Sequence, residues 1–288
     1  MNLQAKSLHD LFGNRKLVIA TKHQKEKVIA PILEAALGVK CIVPENFDTD
    51  VFGTFSGEKI RHEDPISTAR KKCKTAMKLT NCDIGIASEG SFGAHPHLYF
   101  VNADDEFILL IDKKNNLEII ARELSTSTNF GGEEIQTKQE LLAFAKQSLF
   151  PSHGLILRKE KDDIETISKD FKDLNHLEEV FLSMQSKYGS VFIETDMRAM
   201  MNPTRMEVIG LATKRLIEKI RSRCPECASP GFSITETKSG LPCGLCGFPT
   251  QSTLYHVLTC ANCEFTRREM FPNKKEKEEP MYCDNCNP

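Results

Sequence analysis

Four Cys-x-x-Cys pairs dominate the C-terminal part of the chain: Cys224-Pro-Glu-Cys227, Cys243-Gly-Leu-Cys246, Cys260-Ala-Asn-Cys263 and Cys283-Asp-Asn-Cys286. Two thiolates separated by two residues turn inward on one tight knuckle, and two knuckles complete a tetrahedral four-sulfur site. Fifteen residues separate Cys227 from Cys243 and nineteen separate Cys263 from Cys283, within the zinc-ribbon range of roughly 15 to 20. The pattern predicts two structural zinc ions and a small double zinc-ribbon domain over residues 221–288. Chain order favours sequential pairing, with Cys224, Cys227, Cys243 and Cys246 around one ion and Cys260, Cys263, Cys283 and Cys286 around the other. Spacing alone leaves interleaved pairing open. A closed four-thiolate site has no position for substrate, so redox chemistry or an iron–sulfur cluster ranks below a structural role.

The remaining cysteines, Cys41, Cys73 and Cys82, fall in apolar patterns and read as core. Close pairs rather than wide spacings suit a reducing compartment. The start of the chain lacks the basic-then-apolar pattern of a signal peptide. No apolar run approaches the roughly 20 residues needed to span a bilayer. A cytoplasmic protein with no membrane partner is expected. A net charge of −2 over 288 residues gives no global field for nucleic acid. The segment from Glu264 to Pro280 balances Arg267, Arg268, Lys274, Lys275 and Lys277 against five glutamates, which reads as a solvated loop rather than a phosphate track.

Residues 1–220 read as an α/β domain with a mixed central sheet and flanking helices. Lys16 to Thr21 is a short apolar strand. The helix after it presents Val28, Ile29, Ile32, Leu33 and Leu37 on one side, with its regular part expected to start near Pro31 and to end at Gly38. Val39 to Val43 is a second strand. Asp64-Pro65 caps a helix whose Ala69, Cys73, Ala76 and Thr80 share a face. Asp83 to Ala87 is a strand, expected to open into a glycine-punctuated loop through Pro96. Leu98–Val101, Phe107–Ile111 and Leu117–Ala121 read as an antiparallel meander separated by turn residues, the first turn being Asn102-Ala103-Asp104-Asp105. Thr137 to Glu140 forms a capping box. A helix ending at Gly189, a last strand Ser190–Glu194 and a helix from Asn202-Pro203 complete the domain.

Chemistry-bearing side chains collect in four segments beyond strands or at helix starts. These hold Thr21, His23 and Lys25; Ser56, Gly57 and Glu58; Ser88, Glu89 and Ser91; and Glu194, Asp196, Arg198, Asn202 and Arg205. Lysines and helix N-termini suit phosphate oxygens, and carboxylates suit hydrated magnesium. Together they fit magnesium-assisted attack of water on a phosphoanhydride. Glu89 and Lys25 are the catalytic candidates; Thr21, His23, Ser56, Ser88, Ser91, Arg198 and Arg205 are the substrate-binding candidates. His95 and His97, lacking a fixed third ligand, read as loop residues.

Two resemblances follow. The stretches Ala20-Thr21-Lys22-His23, Gly53-Thr54-Phe55-Ser56-Gly57-Glu58, Ala87-Ser88-Glu89-Gly90-Ser91-Phe92-Gly93, Asn202-Pro203-Thr204-Arg205-Met206 and the terminal Cys-x-x-Cys-Asn-Pro resemble a mainly bacterial family, a domain of unknown function. It spans nearly the whole chain and implies no activity. Thr21, His23 and Lys25 after the first strand are also similar to a motif of the inosine/xanthosine triphosphate pyrophosphatases. So are the Ser56-Gly57 loop before an Ala- and base-rich helix and the strand from Asp83 to an acidic Gly90 loop. That family removes pyrophosphate from non-canonical nucleotides with magnesium. Here His23 replaces the usual Asn, Glu89 stands where paired aspartates are usual, and the cysteine domain is foreign to it. The resemblance implies a nucleotide pyrophosphatase-like hydrolase. The alternative is a nucleotide-binding sensor or adaptor whose zinc ribbons contact another protein.

Overall fold

A computed structural model of the protein describes residues 7–45, 47–48 and 64–288. After a short helix α1 (Leu8–Phe12), β1 (Lys16–Ala20) is buried from Leu17 onward, as its apolar run requires. Helix α2 (Glu26–Leu37) leads to β2 (Lys40–Ile42), and α3 (Pro65–Thr80) leads to β3 (Ile84–Ala94). Two long antiparallel strands follow, β4 (Asn102–Asp112) and β5 (Leu117–Ser125). The sheet order is β2-β1-β3-β4-β5, with β1 parallel to both neighbours and the last two pairings antiparallel. This is the expected mixed sheet.

Side chains alternate across this sheet, so each face has its own core. Leu17, Ile19, Ile84, Ile86, Ile108 and Leu110 pack against α2 and against α6 (Pro203–Arg221). Val18, Ala20, Ala87 and Leu109 pack against Ala69, Cys73 and Ala76 of α3. Burial of each large aliphatic side chain contributes about 1.5–3 kcal/mol. It also pushes the Cys73 thiol up to about 12, which keeps it an inert core group. The connection from β1 moves to one side and the connection from β2 crosses back over β1 to β3. The carboxyl ends of β1 and β3 therefore flank the point where the chain diverges, the crevice in which open α/β sheets bind ligands.

Several expectations are met in detail. Asp64 accepts hydrogen bonds from the Ile66 and Ser67 amides with Pro65 at the first helical position. Thr137 and Glu140 form a reciprocal cap on α4 (Lys138–Gln147). Gly38 ends α2 at φ 66°. Three expectations are corrected. Helix α2 begins at Glu26 rather than near Pro31 and carries the proline inside it; Pro31 removes one hydrogen bond to the turn before it, a loss offset by the burial of Ile29, Leu33 and Leu37. Leu98–Val101 is no strand; it lies in the turn joining β3 to β4, where His95 Nδ1 accepts from the His97 and Leu98 amides at 3.2 and 3.1 Å. The expected loop after Ala87 is instead the continuation of β3, paired residue for residue with Asn102–Ile108.

A second, antiparallel sheet of order β6-β8-β7 comprises β6 (Gly132–Ile135), β7 (Leu155–Arg158) and β8 (Val191–Thr195). With α4 and α5 (Leu174–Tyr188) it encloses a separate core around Leu141, Leu157, Leu177, Phe181 and Ile193. Beyond α6, a meander of β9 (Ser233–Ser239), β10 (Thr253–Thr259) and β11 (Thr266–Met270) carries the cysteine pairs. Among the described residues no helix is long and apolar enough to cross a membrane.

Candidate functional site

Beyond the end of β1 the long strand β3 loses its parallel neighbour. β1 stops opposite Ala87, and β3 runs on to Ala94. Lys25, the residue that caps the start of α2, fills the space. Its buried Nζ donates to the Ser88 carbonyl at 3.2 Å and to Ser88 Oγ at 3.0 Å. Gln24, just before it, sits in the left-handed region at φ 59°, a conformation that costs free energy for a non-glycine residue and concentrates at functional sites. Burial, then the nearby Arg205 charge, pulls the Lys25 ammonium down to about 8.

Successive residues of β3 then address opposite faces. Glu89, 1 % exposed, forms an ion pair with Lys72 of α3. On the α6 face Gly90 stands opposite Glu106 of β4. A methyl group at position 90 would lie 2.3 Å from Glu106 Oε1 and 2.9 Å from Arg205 Nη2. Glycine is therefore what allows Arg205 and Glu106 to meet over the strand. Arg205 Nε donates to Glu106 Oε1 at 2.7 Å with both side chains fully buried, and Nη1 donates to the Met197 carbonyl. The guanidinium also lies 5.1 Å from the Phe92 ring, which stacks on Phe130. The position of Arg205 follows from the start of α6, where Asn202 accepts its backbone N–H at 3.0 Å. Asp104, two residues before Glu106, is also fully buried. Burial, then the Glu106 charge, pushes its carboxyl up to about 8.

Residues from five parts of the chain thus meet around the end of β1. Lys25, Lys72 and Arg205 bring positive charge; Glu89, Asp104 and Glu106 bring carboxyl groups. The sequence pattern picks out Lys25, Ser88, Glu89 and Arg205 but misses Lys72, Asp104 and Glu106. A signal existed for each. Lys72 falls on the apolar face of α3 between Ala69 and Ala76, and Asp104 and Glu106 share a face with Ile108 and Leu110. The other candidates lie differently. Thr21 is buried just beyond the end of β1, and its hydroxyl has no hydrogen-bond partner among the described residues. His23 is half-buried, and Ser91 is exposed. Arg198 turns to Asp196, at 2.6 Å, and to Asp170. Ser56, Gly57 and Glu58 lie outside the described residues.

The cysteines form two groups, Cys224, Cys227, Cys260 and Cys263, and Cys243, Cys246, Cys283 and Cys286. The favoured sequential pairing is corrected to the interleaved one. β9 and β10 are seven residues each, about 23 Å of extended chain. Consecutive knuckles are thereby carried to opposite ends of the meander, while the antiparallel turn-back brings alternate knuckles together. Within each group, sulfurs from its two knuckles lie close together, at 3.6 and 3.6 Å in the first and 3.9 and 3.7 Å in the second. That is too long for a disulfide and close to the roughly 3.8 Å edge of a tetrahedron with metal–sulfur bonds of about 2.3 Å. The Phe248 amide holds the Cys246 thiol down at about 6, whereas its hydrogen bond with Cys246 pushes Cys286 up to about 12. Four such sulfurs ionise together only when a cation balances them. Both groups could hold a metal ion.

With both sites described, the comparison with protein families is decisive in one respect. A family described as a domain of unknown function (DUF6671) matches residues 72–288. The chain belongs to this family. The matched span contains Lys72, Glu89, Asp104, Glu106, Arg205 and all eight paired cysteines, and starts after Thr21 and Lys25. No curated protein and no solved structure matches the chain.

Proposed function

We propose that the charged cluster binds the phosphates of a nucleotide and that the protein is a magnesium-dependent, pyrophosphatase-like hydrolase. The observation carrying this reading is the convergence of Lys25, Arg205 and Glu89 at the diverging ends of β1 and β3. A buried ion pair adds little stability over apolar residues of the same shape. Two such pairs beside a buried Asp104 are therefore better explained by chemistry than by support of the sheet. In this reading Lys25 and Arg205 hold phosphate oxygens, and Glu89, oriented by Lys72, positions the attacking water. The water oxygen bonds to phosphorus as the bridging oxygen leaves with pyrophosphate. Magnesium, when bound, would offset the charge of the leaving phosphates. The two cysteine groups would hold structural zinc.

A second reading, a nucleotide-responsive adaptor, draws on the exposed Leu245 and Phe248 around the second knuckle, an apolar patch suited to a protein partner. One experiment separates the two. Zinc-loaded protein is offered normal and deaminated nucleoside triphosphates with magnesium, and pyrophosphate release and thermal stabilisation are measured. Hydrolysis that Glu89→Gln abolishes supports the enzyme. Stabilisation without turnover, surviving Glu89→Gln, supports the adaptor; neither response on any nucleotide sinks both.

A further inference from the structure

β4 carries two carboxylates on one face with very unequal partners. Glu106 gives one oxygen to Arg205 Nε at 2.7 Å, while its Oε2 accepts no hydrogen bond among the described residues. Asp104, on the same face two residues away, accepts none from the described residues at either oxygen, although its side chain is fully buried. Between them Asp105 turns to the opposite face and forms a forked pair with Arg122 at 2.7 and 2.8 Å. Across the sheet, Glu123 of β5 lies opposite Glu106 and is paired with Arg215. The described residues thus give Asp105 and Glu123 arginine partners and leave three carboxylate oxygens of β4 without a donor. Buried carboxylate oxygens normally have hydrogen-bond donors or a metal.

We infer that Asp104 and Glu106 form the seat of one hard divalent cation, magnesium or manganese, between β4 and the start of α6. Oxygen donors from one or two carboxylates are the usual protein share of such a site, the rest being water or phosphate oxygens. Glu106 would link the cation to Arg205, so cation and guanidinium would face the same phosphate group. Glu89, on the other face of β3 and paired with Lys72, takes no part in the seat. Its catalytic use rests on the phosphate reading above, but its occupancy does not.

The test is a manganese titration of the zinc-loaded, nucleotide-free protein, with free Mn2+ followed by electron paramagnetic resonance. About one Mn2+ per chain should bind and be displaced by Mg2+. Asp104→Asn, which keeps the side-chain shape, should weaken binding by at least about tenfold, while Asp105→Asn leaves it unchanged. No binding by wild-type protein up to millimolar Mn2+, or equal binding by wild type and Asp104→Asn, overturns the inference; the wild-type titration decides alone should Asp104→Asn not fold. Manganese binding without nucleotide turnover would retain the seat and remove the hydrolase. Turnover without nucleotide-free manganese binding would do the reverse.

Discussion

The five-stranded sheet and the cysteine meander solve the problem of holding a shape in opposite ways. The sheet buries a continuous aliphatic core on each face, and that surplus lets it keep charged groups inside. The meander buries little beyond Phe232, Leu241 and one cysteine of each pair, and its strands are largely exposed. Metal ions held by its two cysteine groups would supply what the sheet obtains from hydrocarbon. The region with energy to spare is thus the one that can hold a buried Asp104 without a donor among the described residues, and the region without it is the one that carries the two cysteine groups.

The contrast breaks most visibly, or stands, when metal is removed. A structural four-thiolate zinc is worth about 10–16 kcal/mol of apparent binding energy. A chelator strong enough to strip it should abolish hydrogen-exchange protection over residues 224–288 while β3 and β4 keep theirs. Loss of protection in both regions together would show that the sheet leans on the meander. Next in size, Arg205→Ala leaves Glu106 buried beside Asp104 with its cation gone, an expected loss of about 3–5 kcal/mol in urea unfolding. An effect below 1 kcal/mol would mean that the pair is far more hydrated than its burial implies.

The smallest effect concerns Lys25. Its ammonium is near 8 in the fold and about 10.4 in an open chain. Between these values the unfolded chain holds more protons, so this group makes stability rise as pH increases from 8 to 10.4, by at most about 1.4 kcal/mol per unit. Below pH 8 the cost of burying the charge is fully felt. Comparing wild type with Lys25→Met by denaturant unfolding at pH 7.5, 9 and 10 should show this extra rise in wild type alone. Parallel curves would place Lys25 in water.

The two regions also differed in how far the sequence could be read. Helix ends were legible because Asp64, Thr137, Gly38 and Asn202 act within one turn of themselves. The cysteines were legible as ligands for the same reason, but their pairing depends on strand direction, which spacing does not encode. The cluster was harder. Gly90 and its neighbours looked like a loop because small residues also mark turns. Only the approach of Arg205, more than a hundred residues away, shows that Gly90 is a flat place in a strand. Asp104 looked like turn chemistry for a similar reason, since Asn-Ala-Asp-Asp is turn composition. Its burial is set by α6 rather than by its neighbours in sequence.

Interleaving has a consequence for how the chain is made. As the protein emerges from a ribosome, Cys224, Cys227, Cys243 and Cys246 all appear before either group has its third ligand. Four thiols are then exposed together at the spacing of one sequential site, and a metal ion captured at that moment would join the wrong pairs. The native partition follows once β10 turns back and delivers Cys260 and Cys263. A nascent chain can therefore hold metal early in an arrangement that it must later surrender, and strand pairing, rather than ligand order, corrects it.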